Sequence, residues 1–170
     1  MGRLPRAVTR AILEQPEHLP AALAWARRLG LELRFDEEEL ALELNLTGPG
    51  ATTEAPPEPY RISGLLEDFD VLPIIWRYVD PRSGANIGVA AYPRPTGSSV
   101  LHGNGLICAP WSRLAYAVEG GIHSDWQDLT DWKTPRPPYT FAPTIADQLD
   151  RLYRETRAST GRMAALPVAA

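Results

Sequence analysis

Two reactive residue types are almost missing from this chain: its 170 residues include one cysteine, Cys108, and one lysine, Lys133. A single cysteine cannot close an internal disulfide, which fits a reducing compartment and a cytoplasmic protein. The other basic residues are arginines. Coding bias in a GC-rich genome accounts for that, as does avoidance of self-modification in a protein that handles lysine-reactive intermediates. Long apolar runs are also missing. The longest stretch free of Asp, Glu, Lys and Arg, Pro95 to Ser112, is full of Gly, Ser, Asn and His, so no bilayer span is expected. The first residues carry arginines but no continuous apolar run of the kind a secretory signal needs. Net charge is −4, and the longest run of one sign is the acidic turn Asp36–Glu39. Without a basic stripe the chain lacks the electrostatic footprint of a nucleic-acid binder, and anionic lipid surfaces are disfavoured for the same reason. Internal repeats are absent.

What is there suits an ordered core. Apolar residues make up 44% of the chain and charged residues 22%, close to the globular average. Residues 7–29 read as helix, interrupted near Pro16 and Pro20, with Leu19, Leu23, Ala26 and Leu29 at helical spacing. Gly30 is a natural stop. Leu31, Leu33 and Phe35 then alternate with charged residues, and the alternation resumes at Leu40, Leu42, Leu44 and Leu46. Period two marks half-buried strands. Tyr60–Leu66 and Ile74–Val79 read as third and fourth strands, the last entered through Pro73. From Asp80 to Tyr139 periodicity fades, and a long irregular stretch in a compact domain is often functional. A closing helix is expected with Pro143 at its first position, Ile145, Leu149, Leu152 and Tyr153 on its apolar face, and Gln148 on its polar face. Helices flanking a group of antiparallel strands describe an α+β domain. We expect one domain over 1–160, with an N-terminal helical region (1–30), a sheet (31–80), an active-site segment (81–139) and a helix (140–160). A flexible tail is expected over 161–170, and the arginine-bearing first residues are expected to be disordered and solvated.

The segment His102-Gly103-Asn104-Gly105-Leu106-Ile107-Cys108 sets a thiol after a glycine-rich turn, beside a histidine and an asparagine. An accessible thiolate is a nucleophile, and an asparagine amide can stabilise an oxyanion. On composition alone the bland reading leads, with Cys108 a small buried apolar residue that follows Leu106 and Ile107.

The order of these pieces resembles that of ubiquitin-conjugating enzymes, above all their prokaryotic relatives, over roughly residues 35–155. The resemblance is carried by Leu72-Pro73-Ile74-Ile75-Trp76-Arg77-Tyr78 as the proline-led strand and by His102-Gly103-Asn104. It continues with Gly105-Leu106-Ile107-Cys108, Trp132-Lys133-Thr134-Pro135 and Thr144-Ile145-Ala146-Asp147-Gln148-Leu149. The family's His-Pro-Asn motif lies further from its cysteine. Here Gly103 replaces proline, and Asn104 matches either the oxyanion residue or the turn asparagine that often precedes Gly-x-Ile-Cys.

The resemblance implies a ubiquitin-conjugating-like fold, an N-terminal helix with an antiparallel meander, and transthiolation. Cys108 would accept a ubiquitin-like protein as a thioester from an activating enzyme and pass it to an amine. His102 and Asn104 are carried over with it. His123 and Asp125, in a loop like that of bacterial members, could deprotonate the amine. No metal or other cofactor is implied. The implied partners are the activating enzyme, the ubiquitin-like protein and a deconjugating peptidase encoded nearby, in systems several of which defend against phage. Two other readings stand beside this one: a non-catalytic binding or scaffold module of the same fold, and a hydrolase using Cys108, His123 and Asp125.

Overall fold

The computed structural model describes residues 3–50, 52, 54–98, 100–116, 132–134 and 144–163. These form an α+β arrangement of three α-helices and a four-stranded antiparallel sheet. The elements are α1 (Arg6–Leu13), α2 (Leu19–Arg28), β1 (Glu32–Asp36), β2 (Ala41–Gly48), β3 (Glu58–Leu65), β4 (Ile75–Val79) and α3 (Ile145–Ala158). Short 3-10 turns cover Gly88–Ala91 and Arg113–Tyr116. No helix among the described residues is long and apolar enough to cross a membrane.

The strands lie in chain order, β1-β2-β3-β4, so each pairs with its sequence neighbour. Alternation decides which face is buried. Leu42, Leu44 and Leu46 of β2 stand opposite Gly64, Ile62 and Tyr60 of β3, and Ile62 and Gly64 stand opposite Tyr78 and Trp76 of β4. All are buried and line one face. α2 and α3 cover that face with Ala22, Trp25, Ala26, Ile145, Leu149 and Leu152. Trp25 joins the two helices: its indole N–H donates to Asp150 Oδ1 at 3.1 Å, and its ring meets Tyr153 edge-on at 6.2 Å.

Three sequence expectations change. First, α3 starts at Ile145, not at Pro143, because Thr144 caps it. Thr144 Oγ1 accepts the Asp147 N–H at 3.2 Å and Asp147 Oδ2 accepts the Thr144 N–H at 3.0 Å, a reciprocal capping box. Thr144→Ala should lower unfolding free energy by about 1 kcal/mol, read as a shift in urea midpoint at constant slope. Second, Gln148 faces the core, because Trp76 offers it a buried donor at 2.7 Å. Third, the arginine-bearing start is ordered, although Arg3, Arg6 and Arg10 are exposed to solvent as expected. Leu4 N–H donates to Asp68 Oδ1 at 2.8 Å, helix begins at Arg6, and Arg10 donates to the Glu37 carbonyl at 3.1 Å. Gly30 ends α2 as expected, with φ at +66°.

Beyond α3 the chain stays attached through Met163. Arg162 is buried, its Nε donates to Glu58 Oε2 at 3.0 Å, and its guanidinium covers the Tyr60 ring at 4.2 Å. The expected tail therefore docks over 161–163. The remainder of it, 164–170, lies outside the described residues.

Candidate functional site

The stretch before Cys108 folds into a tight hairpin. Ser98 Oγ accepts the N–H groups of Val100 and Leu101 at 3.0 and 2.9 Å, which starts the turn into it. Leu101 pairs antiparallel with Ile107, and His102 N–H donates to the Leu106 carbonyl at 3.0 Å. The tip closes where Gly105 N–H donates to the His102 carbonyl at 3.0 Å, with Gly105 at φ +77°, a conformation that favours glycine. Asn104 Oδ1 accepts the Leu106 N–H at 3.2 Å. Between the two roles open to Asn104, this is the geometry of a turn asparagine.

This register sets Cys108 opposite Val100, whose carbonyl accepts the Cys108 N–H at 2.7 Å. His102 stands opposite Leu106, one diagonal step along the ribbon from Cys108, and is half-buried. Asn104 is exposed at the tip. His123 and Asp125 lie outside the described residues.

The chain after Cys108 is bolted to the sheet edge. Ser112 bridges to Ile74 in parallel, and Arg113 N–H donates to the Ile74 carbonyl at 2.9 Å. The Arg113 side chain donates to the carbonyls of Pro73, at 2.8 Å, and Glu67. Thus the turn before β4 and the segment after Cys108 share one guanidinium. Burial lowers the pKa of Arg113, and the neighbouring Asp68 and Glu67 charges oppose that shift. Sequence reasoning missed Arg113, because its partners are backbone carbonyls far away in the chain.

Cys108 itself is 1% exposed and packs with Leu106 and Ala115, flanked by Leu114 and Tyr116. Burial pushes its thiol pKa up, since a thiolate there would lose its hydration. The resting group is therefore a protonated thiol. Iodoacetamide at pH 7.5 should alkylate it about tenfold more slowly than it alkylates the urea-unfolded chain, and the native rate should still climb above pH 9. Equal native and unfolded rates would contradict the burial. Among the described residues, no three His, Cys, Asp or Glu side chains are placed to hold a metal ion.

A second aromatic corner adjoins this edge. Phe69 lies between His18, ring centroids 5.0 Å apart, and Trp132, at 6.3 Å. Lys133 pairs with Asp70, which fixes the segment around Trp132 to the turn between β3 and β4.

In comparisons with known proteins, no family model, no curated protein and no solved structure matches this chain.

Proposed function

We propose that this chain is a ubiquitin-conjugating-like enzyme of the bacterial kind, carrying a ubiquitin-like protein as a thioester on Cys108. One observation carries the reading. The Gly-Leu-Ile-Cys segment leaves a hairpin and is clamped beside the proline-led edge strand, with a helical cover behind the sheet. A carrier of acyl groups needs such a fixed thiol, because a positioned reactant removes much of the entropic barrier to attack.

In the proposed reaction the Cys108 thiolate attacks the thioester carbonyl presented by an activating enzyme. The Cys108 C–S bond forms, the activating enzyme's C–S bond breaks, and that enzyme leaves as a thiolate. A target amine then attacks the new thioester. An amide forms, Cys108 leaves as a thiolate, and the amine proton passes to it or to solvent. The resting burial of Cys108 requires the first step to begin with exposure and deprotonation of the thiol, which docking of the activating enzyme would supply. His102 is the described candidate nearest in register to assist. His123 and Asp125 retain the roles inferred for them from the sequence.

A second reading is favoured by one specific feature, the 1% exposure of Cys108. A binding or scaffold module would keep the thiol as packing and never load it. The same uncharged, buried thiol weighs against a Cys-His hydrolase, which needs an ionised sulfur open to water and substrate.

The test is a loading assay with the activating enzyme and ubiquitin-like protein encoded in neighbouring genes, together with ATP. A heavier band on a non-reducing gel, removed by reductant and absent in Cys108→Ala, is the expected result. Cys108→Ser should give a reductant-resistant, base-labile band in its place. With an activating enzyme shown to be charged, absence of any adduct would leave the binding module as the reading.

A further inference from the structure

The short run after α3 folds back onto the domain. Gly161, at φ +100°, turns it back along the segment 92–94. Arg162 bridges antiparallel to Pro93, Arg94 N–H donates to the Gly161 carbonyl at 2.6 Å, and Met163 N–H donates to the Tyr92 carbonyl at 2.9 Å. The Arg162 side chain reaches both ways. Its Nη1 donates to the Ala91 carbonyl at 3.3 Å, and its Nε pairs with Glu58 at the start of β3. One stem turn earlier, Thr96 Oγ1 donates to the Ala158 carbonyl at 2.9 Å.

The segment held in this way is the buttress of the Cys108 hairpin. A Cβ added at Gly105 would lie 3.3 Å from Val89 Cα and 3.4 Å from Tyr92 Cδ2. The hairpin tip therefore rests directly on Val89 and Tyr92. Tyr92 is wedged in turn against the Tyr78 ring, centroids 5.0 Å apart. The physical chain of contact runs from Arg162 and Met163 to the carbonyls of Ala91 and Tyr92 respectively, to the Tyr92 and Val89 side chains, to Gly105, and through the hairpin ladder to Cys108.

We infer that the run Thr160–Met163 is a strap whose docking on segment 91–94 keeps the hairpin closed and Cys108 out of solvent, with Arg162 as its positioning residue. Releasing the strap opens the hairpin locally while the sheet stays folded, since β1 to β4 and the α2–α3 cover pair without it. The inference does not depend on what Cys108 does. Its readout requires neither an activating enzyme nor a ubiquitin-like protein, so it can fail while the proposed function stands, and the reverse.

The experiment is iodoacetamide labelling of Cys108, the single cysteine, in the full chain at pH 8, followed by intact mass. Arg162→Met keeps the bulk of the side chain and removes its charge and donors. Met163→Pro removes the N–H that binds Tyr92, together with the Met163 side chain packed at the core's edge, and leaves Arg162 intact; it decides the matter should Arg162→Met fail to fold. In both folded variants labelling should be at least tenfold faster than in wild type. The rise should exceed what the globally unfolded fraction, taken from urea curves, accounts for. Amide protection of β2 and of β3 from Ile62 onward, away from the Glu58 and Tyr60 contacts of Arg162, should be unchanged. An unchanged labelling rate, or a rise that only tracks global unfolding, would overturn the strap.

Discussion

Trp76→Ala should lower the unfolding free energy by about 3–5 kcal/mol, the range for deleting a buried large aromatic side chain. Trp76 is 1% exposed, on the covered face of the edge strand β4. Two features make it more than a filler. Its indole N–H donates to Gln148 Oε1 at 2.7 Å, which ties β4 to α3 through a buried polar contact. Its six-membered ring also occupies the space over Gly64, where an added Cβ would stand 2.3 Å from Cζ3. Gly64→Ala alone should therefore cost about 1–3 kcal/mol by overpacking, because a buried indole has nowhere to retreat. The two changes should not add. In the Trp76→Ala background the clash is gone, and Gly64→Ala should become nearly neutral. Trp76→Phe separates the contributions by removing the N–H and part of the ring, and should cost less than Trp76→Ala. Urea unfolding of the four variants tests this. A loss below about 1 kcal/mol for Trp76→Ala, or strict additivity with Gly64→Ala, would show that the ring does not fill the core in this way.

The strands were legible because their side chains obey a local rule. Leu31 to Phe35 and Leu40 to Leu46 alternate with one face buried, Tyr60 to Leu66 reads as a strand, and Ile74 to Val79 is an apolar run entered through Pro73. The closing helix was legible for the same reason at period 3.6. Where the reading failed, a distant partner decided the outcome. Gln148 looks like a polar-face residue until Trp76 is placed opposite it. The run 161–163 looks like a loose tail until Glu58, Tyr60 and the Ala91 carbonyl give Arg162 somewhere to dock. The Cys108 hairpin shows both cases. Its turn chemistry, Asn104 followed by Gly105, is local and readable. The depth of the thiol is not, because it comes from Leu114, Ala115 and Tyr116 folding back and from Arg113 reaching Pro73 and Glu67. Composition favoured a buried Cys108, and the family resemblance favoured a reactive one. The proposed carrier, buried at rest and opened on docking, is compatible with both.

The second large effect is alkaline instability. Burial raises the pKa of Tyr78, Tyr92 and Tyr60 in the folded chain. Tyr78 is the extreme, fully buried with its hydroxyl between Thr156 Oγ1, at 2.8 Å, and the Leu152 carbonyl, at 3.3 Å. The Cys108 thiol is raised by the same cause. The sign follows from proton counts. Above the ordinary pKa of each group the unfolded chain releases a proton that the folded chain still holds. The unfolded state then binds fewer protons, so stability falls as pH rises. The contribution of these groups is complete below about pH 8, where all are protonated in both states. Cys108 begins the decline and the tyrosines steepen it above about pH 10. For each phenol still protonated in the fold, a further pH unit lowers stability by about 1.4 kcal/mol. The urea midpoint should therefore be nearly level from pH 7 to 8, slope downward by pH 9.5 and drop steeply between pH 10.5 and 12. Tyrosinate absorbance near 295 nm should appear in two stages, an early rise from exposed phenols and a later one that coincides with loss of the fold. Tyr78→Phe keeps the ring and removes the hydroxyl, so it should flatten the steep region while costing about 1–2 kcal/mol at neutral pH through the lost hydrogen bonds. A midpoint that stays level to pH 11.5, or tyrosinate that forms in one step before unfolding, would mean that the phenols beneath α3 are open to water, and with them the face on which the Cys108 hairpin is braced.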